Sequence, residues 1–168
     1  MRLVSVQAHD FDEGALLAML GETGAGGVSS FTGLVRQTPE GSLKALFLEH
    51  YPGMTERALA QLVDEAHARW PLKGGVLIHR VGRLALGERI VFVATASAHR
   101  AAALAATAYL IDQLKTRAPF WKAEEQRNGD RSWVNAHAPD AQATAAWHHN
   151  ATKLPYPAGL HKGIDDGP

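Results

Sequence analysis

The chain contains no cysteine. That absence removes disulfides, zinc–thiolate sites, iron–sulfur clusters and a cysteine nucleophile. There is no surplus of charge either, since 17 Lys and Arg face 17 Asp and Glu. A general nucleic-acid or membrane-surface binder relies on excess positive charge, so neither partner is expected. No apolar run approaches the ~18 residues of a membrane span. Met1 to Gln7 lacks the apolar core of a signal peptide, and the chain is read as cytoplasmic. The Gly-x-x-x-x-Gly-Lys phosphate loop, the Gly-x-Gly-x-x-Gly fingerprint, the Gly-x-Ser-x-Gly elbow and the His-Glu-x-x-His pair are all missing. His148 and His149 adjoin and cannot both face one metal from a helix, so no metal site is expected.

What is present describes a folded domain. The 168 residues are 46% hydrophobic and 20% charged, enough for one core without a covalent staple. Residues 2–8 alternate like a strand, and Asp10 or Asp12 can cap a helix through Leu20. Residues 26–36, with Gly26, Gly27 and Gly33, read as a strand broken by glycine, which inside a strand often marks a bulge or a close backbone approach. Residues 43–51 form a further strand. Leu59, Leu62, Val63, Ala66 and Trp70 then share one face of a helix over 55–70 that Pro71 ends. Strands follow at 76–81 and 89–95, with 82–88 as a connection or short strand. Ser97 is a plausible cap for a long helix over 98–117. Residues 120–127 and 131–135 make a hairpin around Asn128-Gly129. The elements sum to an α+β single domain with an antiparallel or mixed sheet and about three helices. The composition changes after about Ala138, and the domain is drawn as 1–147 with a flexible or partner-docked tail over 148–168.

Charge is unevenly spread. Between residues 99 and 122, Arg100, Lys115, Arg117 and Lys122 stand against Asp112 alone. His99 and Arg100 open the long helix, where unpaired N–H groups and the dipole favour anions. Lys115 lies near its other end, about 25 Å away at ~1.5 Å per residue. One subunit therefore does not bring both ends to one small ligand by this helix alone. Either the sites are distinct or a second subunit supplies one half. A lysine can hold phosphate or carboxylate, and when desolvated or beside another cation it becomes a base or nucleophile. Each residue also has an ordinary reading, since a lysine at a helix C-terminus simply opposes the dipole.

Five blocks occur in order: Phe31-Thr-Gly-Leu-Val-Arg36, Leu48-Glu-His-Tyr-Pro-Gly-Met54, Ile78-His-Arg-Val-Gly82, Ser97-Ala-His-Arg100 and Lys115-Thr-Arg-Ala-Pro-Phe-Trp-Lys122. Together, across roughly residues 2–147, they resemble the molybdopterin synthase catalytic (large) subunit family. The resemblance implies a hammerhead-like fold. It also implies a sulfurtransferase reaction in molybdenum cofactor biosynthesis, converting cyclic pyranopterin monophosphate to molybdopterin. The sulfur would come from the thiocarboxylated Gly-Gly terminus of a small ubiquitin-like partner subunit. A homodimer of large subunits, with a small subunit at each end of a heterotetramer, is implied too. No cofactor is expected, because the pterin phosphate is a substrate. A chain without cysteine cannot hold sulfur as a persulfide, so sulfur has to arrive on another molecule.

By resemblance, Lys115 is catalytic, as base or as the amine near the partner's terminus. Lys122 orients substrate and stabilises negative charge. Arg36, His99 and Arg100 line an anion pocket, with the phosphate assigned to His99 and Arg100. Phe31 shapes the channel for the partner's tail. His137 stands where some relatives supply an arginine from the neighbouring subunit. Two other classes compete: a non-catalytic adaptor that holds the partner's tail in the same pocket, and a phosphate-ester or nucleotide enzyme of another type.

Overall fold

In chain order the elements are β1 (Arg2–Gln7), α1 (Glu13–Gly21), β2 (Gly27–Leu34), β3 (Leu43–His50), α2 (Met54–Arg69), β4 (Leu72–Arg80), β5 (Gly82–Ala85), β6 (Arg89–Ser97), α3 (Arg100–Arg117), β7 (Phe120–Gln126) and β8 (Arg131–Val134). The computed structural model describes residues 1–134 and 144–147, the latter as a helical turn. The α+β arrangement matches the expectation. One four-stranded sheet has the order β1-β4-β6-β2, and a second has the order β5-β3-β7-β8. Among the described residues only the β1–β4 pair is parallel, so the first sheet is mixed and the second antiparallel.

The apolar runs of β4 and β6 dictate their central place. Successive strand residues point to opposite faces, so a strand apolar throughout needs cover on both sides. Val76, Ile78, Phe92, Ala94 and Ala96 pack under α1 with Leu16 and Leu20. Leu77, Val91 and Val93 pack on the other face with the buried stripe of α2 (Leu59, Leu62, Val63, Ala66) and with Ala106, Tyr109 and Leu110 of α3. The second sheet has its own small cluster, Leu43, Leu46, Leu48 and Leu84 with Val35.

Local details refine the picture drawn from the sequence. Asp12 is the cap of α1, accepting from the Ala15 N–H at 3.0 Å, whereas Asp10 pairs with Arg89. Ser97 does not cap α3. It ends β6, and its hydroxyl donates to the Pro71 carbonyl at 3.1 Å. The cap position falls to His99, which makes no side-chain cap bond, and the helix begins at Arg100. The ladder is irregular at Gly33–Leu34, and a Cβ at Gly33 would stand 2.7 Å from Val91 Cγ1. At Gly26 an added Cβ would meet the Ala98 carbonyl at 2.3 Å, so only glycine lets β2 start against the β6–α3 junction.

The face of α3 carrying Leu104, Ala108 and Ile111 turns outward, with Leu104 47% exposed. The alanines at 103, 105 and 106 occupy the buried side and let the helix lie close to the sheet. Helices α2 and α3 are also tied by charge. Arg117 donates through both terminal nitrogens to the Glu65 carboxylate, each at 2.7 Å, and the Tyr109 hydroxyl donates to it at 2.6 Å. The Arg117 hydrogen bonds hold the Glu65 carboxyl down at about 2. Burial, with the bond to Glu65, pushes the Tyr109 phenol up to about 12.

A carboxylate whose pKa is depressed by folding adds stability above its unfolded value and loses it as pH falls toward the folded one. Glu65→Gln is therefore expected to unfold more easily at pH 7, by about 1–2 kcal/mol after allowing for solvent screening. The gap to the native protein should close between pH 4.5 and pH 2. Urea unfolding at three pH values checks this, and a gap that stays constant down to pH 2 refutes it.

Candidate active site

Where the two sheets meet the end of α3, the fold leaves a cleft of about 950 Å³. The turn from α3 into β7 builds one wall. The Ala118 N–H donates to the Leu114 carbonyl, and the Phe120 N–H donates to Ala118 O at 2.9 Å. Pro119 cannot continue the helix, and its carbonyl is held by the Thr55 hydroxyl at 3.1 Å. This tight turn brings Lys115, in the last turn of α3, and Lys122, the third residue of β7, to the lining of one cleft. Phe120, Lys122 and Glu124 share one strand face, and all three line the cleft. Lys122 Nζ lies 4.0 Å from Glu124 Oε1.

The opposite rim comes from β2 and the loop after it. Phe31, 44% exposed, and Arg36 both border the cleft. Gln37 holds this loop, accepting from the N–H groups of Thr38 and Leu43 at 3.0 and 2.9 Å and donating to the Leu43 carbonyl at 3.1 Å. Arg36 is thereby kept at the rim by a neighbour whose polar groups are spent on the backbone.

His79 forms part of the lining, although no sequence motif assigns it a role. It lies at the end of β4, opposite Val6 and Val91, and is 8% exposed. Its ring stacks on Phe120 with centroids 3.9 Å apart and planes 20° from parallel. Its Nδ1 stands 2.8 Å from the Arg80 carbonyl. Burial pushes its pKa down to about 4, so the ring is neutral at ordinary pH. A histidine breaking the apolar run of a central strand is the signal that could have found it.

Of the residues singled out in the sequence, Phe31, Arg36, Lys115 and Lys122 come together here. His99 and Arg100 do not line this cleft. They are exposed at the far end of α3, as the helix length required. His137 lies outside the described residues. Among the described residues of one chain the cleft thus brings together Arg36, Lys115, Lys122, Glu124 and the neutral imidazole of His79 among apolar walls. Such a set can bind anionic groups and move protons.

A family model described as MoaE protein matches residues 6–117. The chain belongs to the MoaE protein family. Relatives of this MoaE chain are close across most of its length. It is 55% identical over 123 residues to the molybdopterin synthase catalytic subunit of Escherichia coli (strain K12), covering 73% of this chain and 81% of that one. To the subunit of the same name from Ralstonia nicotianae it is 49% identical over 150 residues, covering 88% and 85%. The solved structure of the molybdopterin biosynthesis MoaE protein from Burkholderia ambifaria MC40-6 superposes with a TM-score of 0.75 at 42% identity, covering 88% of this chain and 99% of that one. The chain is an enzyme subunit of the molybdopterin synthase catalytic type.

Proposed function

We propose that this MoaE chain converts cyclic pyranopterin monophosphate to molybdopterin, taking sulfur from the C-terminal thiocarboxylate of a small ubiquitin-like partner subunit. The observation that carries the reading is the meeting of Lys115, Lys122 and Arg36 in one cleft of a chain with no cysteine. Both reactants are anionic, one through phosphate and one through the partner's terminus, and a basic cleft suits both. The thiocarboxylate sulfur bonds to a substrate carbon as a carbon–oxygen bond breaks, the oxygen leaving as water at one carbon and with the ring-opened phosphate at the other. A water molecule then attacks the acyl carbon. The acyl–sulfur bond breaks and the partner departs with an ordinary carboxylate. A second loaded partner repeats the sequence.

Lys115 serves as base or as the amine beside the partner's terminus. Lys122 orients substrate and stabilises the developing charge. Phe31 shapes the path of the partner's tail. No resident cofactor is needed for these steps, and the reading places them in the cytoplasm.

Assembly follows from the same reading. Strand β2 is an edge of the first sheet, and Val28, Phe31, Leu34 and Leu104 are exposed along and beside it. Apolar surface of this kind on a sheet edge favours association. A homodimer through this side would let His99 and Arg100 of a second copy complete the cleft and hold the phosphate. A small partner at each end makes a heterotetramer.

The test is single-turnover conversion of the pterin phosphate by the chain and a thiocarboxylated small subunit, followed by mass spectrometry. Dithiolene product supports the reading. A folded complex that yields none overturns it in favour of an adaptor that only holds the tail.

A further inference from the structure

His79 is a histidine with more specification than packing requires. A backbone carbonyl only accepts hydrogen bonds. The 2.8 Å contact from Nδ1 to the Arg80 carbonyl therefore puts the proton on Nδ1 and leaves a lone pair on Nε2. Among the described residues the occluded side-chain polar atoms without a partner are His67 Nε2 and Gln126 Oε1. His79 Nε2 is not one of them, and the described residues offer it no hydrogen bond. The atom therefore keeps some accessible surface, and the residue that carries it lines the cleft. The stack on Phe120 holds the ring plane, and Phe120 is two residues from Lys122 on the same strand face. The ring can neither turn nor change tautomer without losing one of these contacts.

The chemistry of the atom restricts what it meets. Lys115, Lys122 and Arg36 supply donors for anionic oxygens. A lone pair repels such oxygens and attracts only N–H or O–H groups. Burial keeps the imidazole from becoming a further cation. Anionic oxygens of phosphate and of the partner's terminus are thus disfavoured as its ligands, and a part of the substrate that bears an N–H or O–H is selected.

We propose that His79 Nε2 accepts a hydrogen bond from an N–H or O–H on the heterocyclic end of the substrate, making it a substrate-reading residue beside the cations. This rests on the reading that the cleft takes a pterin phosphate. It adds that the cleft recognises the heterocycle as well as the charge. A site built to accept from a donor discriminates against analogues that lack it.

The experiment measures single-turnover rate against pterin phosphate concentration, using the full chain in complex with its thiocarboxylated partner. His79→Phe keeps an aromatic ring against Phe120 and removes the acceptor. The half-saturating concentration should rise about ten-fold. The limiting rate, the affinity for the partner and the melting temperature should stay close to native. His79→Gln returns an acceptor and should regain most of the lost affinity. A His79→Phe variant that saturates at the native concentration overturns the inference. So does an equal loss in both variants accompanied by a lowered melting temperature, which would make His79 a support for Phe120 alone. Native turnover in the same assay keeps the cleft assignment standing while His79 is judged. A native complex without product overturns that assignment and the inference with it.

Discussion

Lys115→Ala is expected to abolish product formation while the protein still folds and still binds its small partner. The side chain is exposed at the end of α3, and its truncation opens no core cavity. Loss of a positioned base costs on the order of 10²–10⁴-fold, and loss of an essential amine costs at least as much. Lys122→Ala should be milder, because Arg36 and Lys115 still supply positive charge to the cleft. Single-turnover rates for both variants, alongside circular dichroism and partner binding, test the assignment. A folded Lys115→Ala protein with native turnover would remove Lys115 from the chemistry. An unfolded one would make its role structural.

The largest effect on stability should come from Trp147→Ala. Trp147 is 1% exposed, at the end of the helical turn over 144–147. It packs edge-on to Trp70 and Tyr109, with centroids 5.9 and 5.5 Å apart. Its Nε1 donates to Asp112 Oδ2 at 2.8 Å, and the Thr144 hydroxyl donates to the Asp112 carbonyl at 2.9 Å. One side chain thus closes the α2–α3 groove and pins the returning chain. Truncating a buried tryptophan costs about 3–5 kcal/mol, which lowers the melting temperature by on the order of 10 °C in a domain of this size. Trp133→Ala is the control, since that ring is 58% exposed and its loss should stay within about 0.5 kcal/mol. Equal shifts for the two variants would show that Trp147 is not part of the core in solution.

How well each feature can be read depends on how local its cause is. The α2 face is legible because helical spacing alone brings Leu59, Leu62, Val63 and Ala66 to one side. Gly33 is legible as an irregularity because a strand gives up a side chain mainly at a bulge or where another group comes close. Ser97 looks like a cap because a serine before a helix is a good local cap. The competing acceptor, Pro71 O, is distant in sequence. The Leu104 face of α3 looks as apolar as the true core face. Only packing against the sheet shows that the alanine side goes inward.

The candidate site divides the same way. The uneven charge across residues 99–122 and the ordered motifs are in the sequence, and so is the separation of His99 from Lys115, which follows from helix rise alone. The absence of cysteine means, by composition alone, that the chain cannot carry sulfur as a cysteine persulfide. Tertiary structure decided that Arg36 and Phe31 meet Lys115 and Lys122, because those pairs come from elements far apart in sequence. It also decided that His79 is a neutral acceptor at the cleft wall. Its tautomer depends on one carbonyl, its orientation on Phe120 and its charge on burial. Periodicity and composition carry local preferences and sums. Which groups share a few ångströms of low-dielectric space is set only when the chain closes on itself.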